Sequence, residues 1–408
     1  MPEYHPDRRP PSSRRPSFHD LVPENERHPA PQRSFREVRA RRSRLPWIAA
    51  VLALLVVAGG VGIALRPHDE PRRATGATGV TASAPPADTG EQAPAAPRKT
   101  TGAEKNVSLA VFRSASPASV GQFSDWLGRD VDYVVDFSRR LSWDQIANPI
   151  DHLSLWRNSG YRVVYGVAML PEARSDTSTI AAGARGEYDQ YYRTLAQNLV
   201  RYGQGDAILR LGWEFNVANS TWHPDDPQEF ITYWRNIVRT MRAVPGAQNL
   251  EFDWNVNSGG DSYDSTVFYP GDKYVDYVGV DVYDIAWADG TYPYPTGCGA
   301  PCRRQRQEAA WKAALNARFG LIFWSDFAEA RGKPMSFPEW GLWDRPDGQG
   351  GGDNPYFIEQ MHDFIDNPHN NVAYHAYFDY DVGEKGDHRL ASFPKAGKKF
   401  ARLFGEQT

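Results

Sequence analysis

Leu209-Arg210-Leu211-Gly212-Trp213-Glu214-Phe215-Asn216 is a short β-prone run that stops ten residues before a helix-opening pair, Asp226-Pro227. After that pair Phe230, Tyr233, Trp234, Ile237, Val238 and Met241 recur at helical spacing, so the segment reads as one strand followed by one amphipathic helix. Working outward, seven further runs rich in Val, Ile, Tyr and Phe repeat this rhythm. Strands are predicted over 107–113, 133–137, 162–169, 207–215, 250–255, 275–283, 334–340 and 372–379. Between them Tyr188, Tyr191, Tyr192, Leu195 and Leu199 also fall at helical spacing. Eight βα units in about 300 residues have the size and rhythm of an α/β (β/α)8 TIM barrel, whose functional groups sit where strands end and βα loops begin. A doubly wound open sheet is the alternative, but no Gly-x-Gly-x-x-Gly turn follows the first strand.

The barrel is expected to fill 106–408, leaving a long N-terminal portion to explain. Of the 408 residues, the first 46 contain eleven Arg, no Lys and six acidic residues, and they are rich in Pro and Ser. Such a segment has too few apolar residues to fold alone, so 1–46 is expected to be a disordered basic tail. From Trp47 to Leu65 the chain reads WIAAVLALLVVAGGVGIAL, nineteen residues without a charge, long enough to nearly span a hydrocarbon core of about 30 Å. Arg36, Arg39, Arg41, Arg42 and Arg44 precede this run, whereas Arg66, Arg72 and Arg73 follow it with Asp69 and Glu70. The positive-inside bias makes 47–65 a single-pass transmembrane helix with a cytoplasmic N-terminus, placing the barrel outside the cell. A cleaved signal peptide and a buried core helix are the other readings; the tail is very long for a signal n-region. Residues 66–105, dominated by Ala, Pro, Thr and Gly, read as a linker.

The formal net charge is −4, and with the basic tail set apart the barrel region carries about −10. That balance argues against a nucleic-acid partner, which needs phosphate-neutralising cations. Cys298 and Cys302 are the chain's two cysteines; outside the cell they are expected to form a small loop-pinning disulfide. A thiolate metal site would need two more ligands, and none has the right spacing.

Two carboxylates end strands in this register. Glu214 closes the fourth, and Glu339 closes the seventh in Ser336-Phe337-Pro338-Glu339-Trp340-Gly341. A carboxylate in an apolar strand needs a partner or a task, and two at one barrel mouth point to catalysis. Here the sequence resembles the clan A glycoside hydrolases, whose acid/base Glu ends strand four and whose nucleophile Glu ends strand seven. Within that clan it is most similar to glycoside hydrolase family 26, the β-mannanase family. Arg210, Glu214 and Trp222 fit that family's strand-four pattern, Glu339-Trp340-Gly341 fits its strand-seven pattern, and Gly279-Val280-Asp281-Val282-Tyr283 resembles the strand whose Tyr bonds the nucleophile. The family usually has His where Trp213 stands, and the last strand, Tyr377-Phe378-Asp379-Tyr380-Asp381, lacks its usual Trp; both departures bear on sugar choice.

The resemblance implies retaining hydrolysis. Glu339 attacks the anomeric carbon, Glu214 protonates the leaving oxygen and then activates water, and the carboxyl groups stand about 5 to 5.5 Å apart. Trp213 or Phe215 would raise the Glu214 pKa, and Tyr283 and Arg210 are the donors expected on Glu339, although Arg210 reads equally as a structural charge. Thirteen Trp and twenty Tyr exceed what a core this size needs, and aromatic faces stack on pyranose rings. Substrate contacts are therefore expected from Arg210, Trp213, Asn216, Trp222, His223, Tyr283, Trp287, Trp340, Trp343 and Tyr377, with Trp254, Asn255 and Asn257 divided between contact and packing. Tyr191, Tyr233 and Trp234 are read as core. Asp281, Asp284, Asp379 and Asp381, and the loop residues Asp344, Asp347 and Asp353, lack EF-hand spacing, so no metal or other cofactor is expected. The leading reading is a membrane-anchored endo-β-glycosidase acting on an extracellular polysaccharide. A transglycosylase using the same two carboxylates and a non-catalytic tethered carbohydrate-binding protein are the alternatives.

Overall fold

The computed structural model describes residues 107–173, 175–259 and 263–405. The expected tail, membrane helix and linker, 1–46, 47–65 and 66–105, lie outside the described residues. Among the described residues no helix is long and apolar enough to cross a membrane.

Eight strands, β1 Ser108–Phe112, β2 Tyr133–Phe137, β3 Arg162–Val167, β4 Ile208–Leu211, β5 Glu251–Asn257, β6 Tyr277–Tyr283, β7 Met335–Gly341 and β8 Val372–Phe378, form a closed parallel barrel in chain order. β8 returns to β1 with Ser108 opposite Tyr374 and Phe112 opposite Phe378, so the sheet has no free edge. The helices are α1 Pro117–Leu127, α2 Trp143–Ala147, α3 Ile150–Trp156, α4 Ile180–Ala184, α5 Asp189–Arg201, α6 Pro227–Arg242, α7 Ala300–Asn316, α8 Leu321–Ala330, α9 Pro355–Asp366 and α10 Pro394–Phe404. Strands buried on both faces read as near-continuous apolar runs, which is why all eight are legible in the sequence.

α6 shows how a helix is fixed on the barrel. Asp226 caps it, its Oδ1 accepting from the Gln228 and Glu229 amides at 2.7 and 3.0 Å, and Pro227 supplies a pre-set first turn. The helix buries Phe230, Tyr233, Trp234, Ile237, Val238 and Met241, of which Phe230, Ile237, Val238 and Met241, with no polar ring atom, are each worth about 1.5 to 3 kcal/mol relative to exposure.

Strand register decides which side chains reach the interior. Alternation sends Asp253 and Asn255 inward from β5 and Trp254 outward, where it meets Trp324 and Phe327 of α8 at ring separations of 5.8 Å. Gly279 on β6 has no Cβ, and a Cβ there would collide with the Asp253 carboxylate. That carboxylate accepts 2.5 Å hydrogen bonds from Ser336 and Tyr374, tying three strands together below the mouth. The ladders flanking β7 shift register between Gly279 and Val282 on one side and between Phe337 and Trp340 on the other. Pro338, with no N–H to give, lies inside the second irregularity, and Glu339 follows it.

The fourth strand is shorter than expected. It ends at Leu211 rather than Phe215, because Gly212 turns the backbone to a φ of 56° and Glu214 adopts a left-handed φ of 49°. The chain stays anchored through this turn, since the Gly212 amide donates to the Val167 carbonyl and the Glu214 amide to the Asn255 carbonyl.

Candidate active site

Glu339, on β7, is fully buried and both its oxygens accept hydrogen bonds. Arg210 Nη2 donates to Oε1 at 2.6 Å and the Tyr283 hydroxyl donates to Oε2 at 2.8 Å. The same Arg210 nitrogen donates to Asp281 Oδ2 at 2.7 Å, and Arg210 Nε and Nη2 donate to Asn255 Oδ1 at 3.0 and 2.7 Å. One guanidinium from β4 thus joins β5, β6 and β7. Burial opposes its charge, but the Asp281 and Glu339 carboxylates outweigh burial and raise its pKa above the ordinary value. Phe137 of β2 lies under the cation at 5.4 Å.

Glu214 sits differently. It is 5% exposed, and its Oε1 accepts from Asn257 Nδ2 at 2.6 Å. Asn257 is held in turn by Asn216, whose Oδ1 accepts from the Asn257 amide at 2.8 Å and whose Nδ2 donates to the Asn257 carbonyl at 2.8 Å. Burial first, and the charge of Glu339 second, raise the Glu214 pKa to about 7, against the opposing pull of Asn257 and Arg210. A carboxyl group poised there can give up a proton and take one back near neutrality, whereas Glu339 meets a cation and a phenol that suit a nucleophilic carboxylate. The left-handed backbone at Glu214 costs about 1 to 2 kcal/mol for a residue with a Cβ, a strain concentrated at the site.

The other predicted contacts divide by face. Trp340 and Tyr377 were expected at the mouth but are fully buried on the outer side of the sheet. Each lies next in sequence to an inward residue, and both pack on Phe400 of α10. Trp254 belongs with them. Asn255 is fully buried and holds Arg210 rather than facing the opening. Trp213 and Trp222 are both buried and lie 4.6 Å apart, with Trp222 Nε1 donating to the Trp213 carbonyl and the Arg140 guanidinium 5.2 Å over Trp213. His223 is half-buried, its Nδ1 at 2.9 Å from the Phe215 carbonyl.

Trp287 is 44% exposed and stands at the outer end of a ladder. Tyr283 meets Trp343 edge-on at 5.4 Å, and Arg345 lies 4.4 Å from Trp343 and 5.4 Å from Trp287. His388, unremarked in the sequence, is buried beneath it, 4.5 Å from the Trp343 ring and 4.9 Å from Tyr283. Burial lowers its pKa to about 4, so it is neutral at pH 7. Cys298 and Cys302 are joined in a disulfide at the start of α7.

Most of the aspartates weighed as metal ligands have side-chain partners, and Asp353 accepts from the Lys395 and Ala396 amides. Asp281 pairs with Arg210, Asp284 accepts from Tyr292 and Asn354, Asp379 pairs with Arg113, Asp381 with Arg389 and Asp347 with Arg345. Among the described residues no group of three or more His, Cys, Asp or Glu is arranged to hold a metal ion.

Residues 209–294 match the sequence model of glycosyl hydrolase family 26, a stretch that contains Arg210, Glu214, Asn257, Asp281 and Tyr283. Endoglucanase H of Acetivibrio thermocellus is 28% identical over 185 residues, covering 41% of this chain and only 19% of that protein. Among solved structures, a double mutant of Cellulomonas fimi endo-β-1,4-mannanase is 16% identical, with a TM-score of 0.51 over 73% of this chain and 71% of its own. A modular endo-β-1,4-mannanase from the same organism covers 69% of this chain and 66% of its own at 16% identity and a TM-score of 0.49. The resemblance to clan A, and within it to glycosyl hydrolase family 26, is thus present in the sequence, while the structural likeness at this identity shows the barrel fold.

Proposed function

We propose that this chain is a retaining endo-β-glycosidase, tethered to the cell membrane through residues 47–65, that hydrolyses an extracellular β-glycan of the mannan or glucan kind. The observation that carries the reading is the unequal setting of two carboxyl groups in one barrel. Glu339 is held by Arg210 and Tyr283, and Glu214 is raised to about 7. Glu339 attacks the anomeric carbon while the Glu214 proton passes to the departing glycosidic oxygen. In the second step Glu214, now a carboxylate, takes a proton from water, whose oxygen displaces Glu339 from the sugar. The Tyr283 hydroxyl and Arg210 steady the nucleophile, and Asn257 aims the acid through its bond to Oε1.

The mannan or glucan assignment draws on the matched family and on the names of the relatives, and endo action on the exposed Trp287 beside the site. The tether draws on the uncharged nineteen-residue run and its Arg-rich flank, and an external barrel agrees with the disulfide. The test is a screen of the full chain against β-1,4-mannan, β-1,4-glucan, xylan and the producing cell's own surface glycan, with products sized and the first-formed anomer read by NMR. A β-anomer from a β-linkage supports the reading. An α-anomer would remove the retaining mechanism, and no cleavage of any β-glycan would remove the enzyme.

A further inference from the structure

A cavity of about 500 Å³ opens on the outer rim of the barrel, between α2, α5 and the connection from β3 to α4. Trp143 and Tyr191 form its aromatic wall, and Asp144, Asn148, Asp176 and Gln190 contribute polar side chains. The two rings are stacked, with centroids 4.7 Å apart and planes 12° from parallel, and Trp143 also lies 4.3 Å from Tyr188. The Trp143 indole donates to Ser178 Oγ at 2.9 Å, so the wall is fixed to the β3–α4 connection as well.

The helical spacing of α5 assigns Tyr191 to the core, but the structure leaves it half-buried; Tyr192, Leu195 and Leu199 seal the core instead. Trp143 is half-buried too. A pre-stacked aromatic wall with carboxylates and amides around it is the chemistry of a pyranose site: the ring's C–H face lies on the aromatics and its hydroxyls meet the polar groups. Among the described lining residues the charged groups are Asp144 and Asp176, which repel an anion, so the fitting ligand is a neutral sugar. The volume falls in the usual range for ligand sites, about 300 to 1,000 Å³.

The cavity shares a rim with the catalytic residues. α2 begins six residues after Phe137, the residue under Arg210, a distance of at most about 22 Å of extended chain. Arg140, between them, lies over Trp213 next to Glu214 and pairs with Glu172 at 2.7 Å, locking the β2 and β3 connections together.

We propose that this cavity is a second, non-catalytic binding site for a neutral stretch of the polysaccharide, which holds the chain on the rim while the mouth cleaves it. The proposal rests on the glycosidase reading. It is tested with the full chain on suspended β-1,4-mannan and β-1,4-glucan, and on 4-nitrophenyl β-mannobioside and β-cellobioside, which fill the mouth alone. Tyr191→Ala should weaken binding to the polymer about tenfold and slow its cleavage at low polymer concentration, with turnover of the short substrates unchanged. Tyr191→Phe, which keeps the ring, should bind like wild type, and Gln190→Ala should weaken binding by a smaller factor. If wild type cleaves the polymer and Tyr191→Ala binds and cleaves it equally well, the second site is refuted and the glycosidase stands. Equal loss on polymer and short substrate would make the stack a brace and refute the second site. A wild type that neither binds nor cleaves any of the four would refute both readings.

Discussion

Replacing Glu214 with Gln should make the protein more stable at alkaline pH and leave it nearly unchanged in acid. In the folded chain the carboxyl is buried beside Glu339 and titrates near 7; in the unfolded chain it returns to about 4.5. Between those values the folded state holds a proton that the unfolded state has released, so this group's contribution falls as pH rises. Below pH 4 both states are protonated and the penalty is absent; above pH 7 it is complete. A gap of about 2.5 pH units corresponds to roughly 3 kcal/mol. Gln fills the same volume, carries no charge and can still accept from Asn257, so it removes the penalty and little else.

The assay is thermal unfolding of wild type and Glu214→Gln at half-unit steps from pH 4 to pH 8.5. At about 2 °C per kcal/mol for a domain of this size, the two should coincide near pH 4 and separate by roughly 6 °C above pH 7. A separation that is the same at every pH would show that Glu214 titrates normally and would remove the basis for calling it the acid. A separation growing toward acid would reverse the sign of the argument.

Glu339→Ala should lose several orders of magnitude in turnover on every substrate, whereas Glu214→Ala should still glycosylate Glu339 from an activated aryl glycoside and be rescued by azide; β-azide from Glu214→Ala supports the roles, and α-azide exchanges them. Arg210→Leu leaves the Asp281 and Glu339 carboxylates buried without their shared cation and should cost about 3 to 5 kcal/mol in denaturant unfolding, besides abolishing activity; a loss below 1 kcal/mol would contradict the network. Trp287→Ala should raise KM on polymeric β-glycan severalfold and leave kcat within twofold, and an unchanged KM would take Trp287 out of substrate binding. A reporter joined after residue 105 should be active only outside the cytoplasm; cytoplasmic activity would overturn the topology.

The barrel was legible because its strands are buried on both faces and its helices on one, so two different periods alternate along the chain. Within the site, Asp281 could have been paired with Tyr283, since residues two apart on β6 share a face, yet its acidity alone suggested only a metal ligand. The same period would have removed Trp340 and Trp254, each next to an inward residue. The turn at Gly212–Glu214 was hidden, because the run around it has the composition of a strand and only the positive φ angles betray the break. His388 was invisible for another reason: it reaches Tyr283 and Trp343 from the loop after β8, and nothing local marks it. Tyr191 obeyed helical spacing and still escaped the core, because the neighbour it stacks on, Trp143, stands at the edge of the molecule's packing.

The two carboxyl groups are mounted unlike one another. Glu339 rides inside a strand, at a point where the ladders to both neighbours shift register, while Glu214 rides on a bend just past the end of its own. A double displacement asks one partner to hold a single carbon from start to finish and the other to serve two oxygens in succession, first the one that departs and then the one that arrives. In such a reaction the arriving oxygen enters where the departing one left, so Glu214 would serve both from one setting, and the Gly212 and Glu214 amides, bonded to the Val167 and Asn255 carbonyls, hold the bend that fixes it.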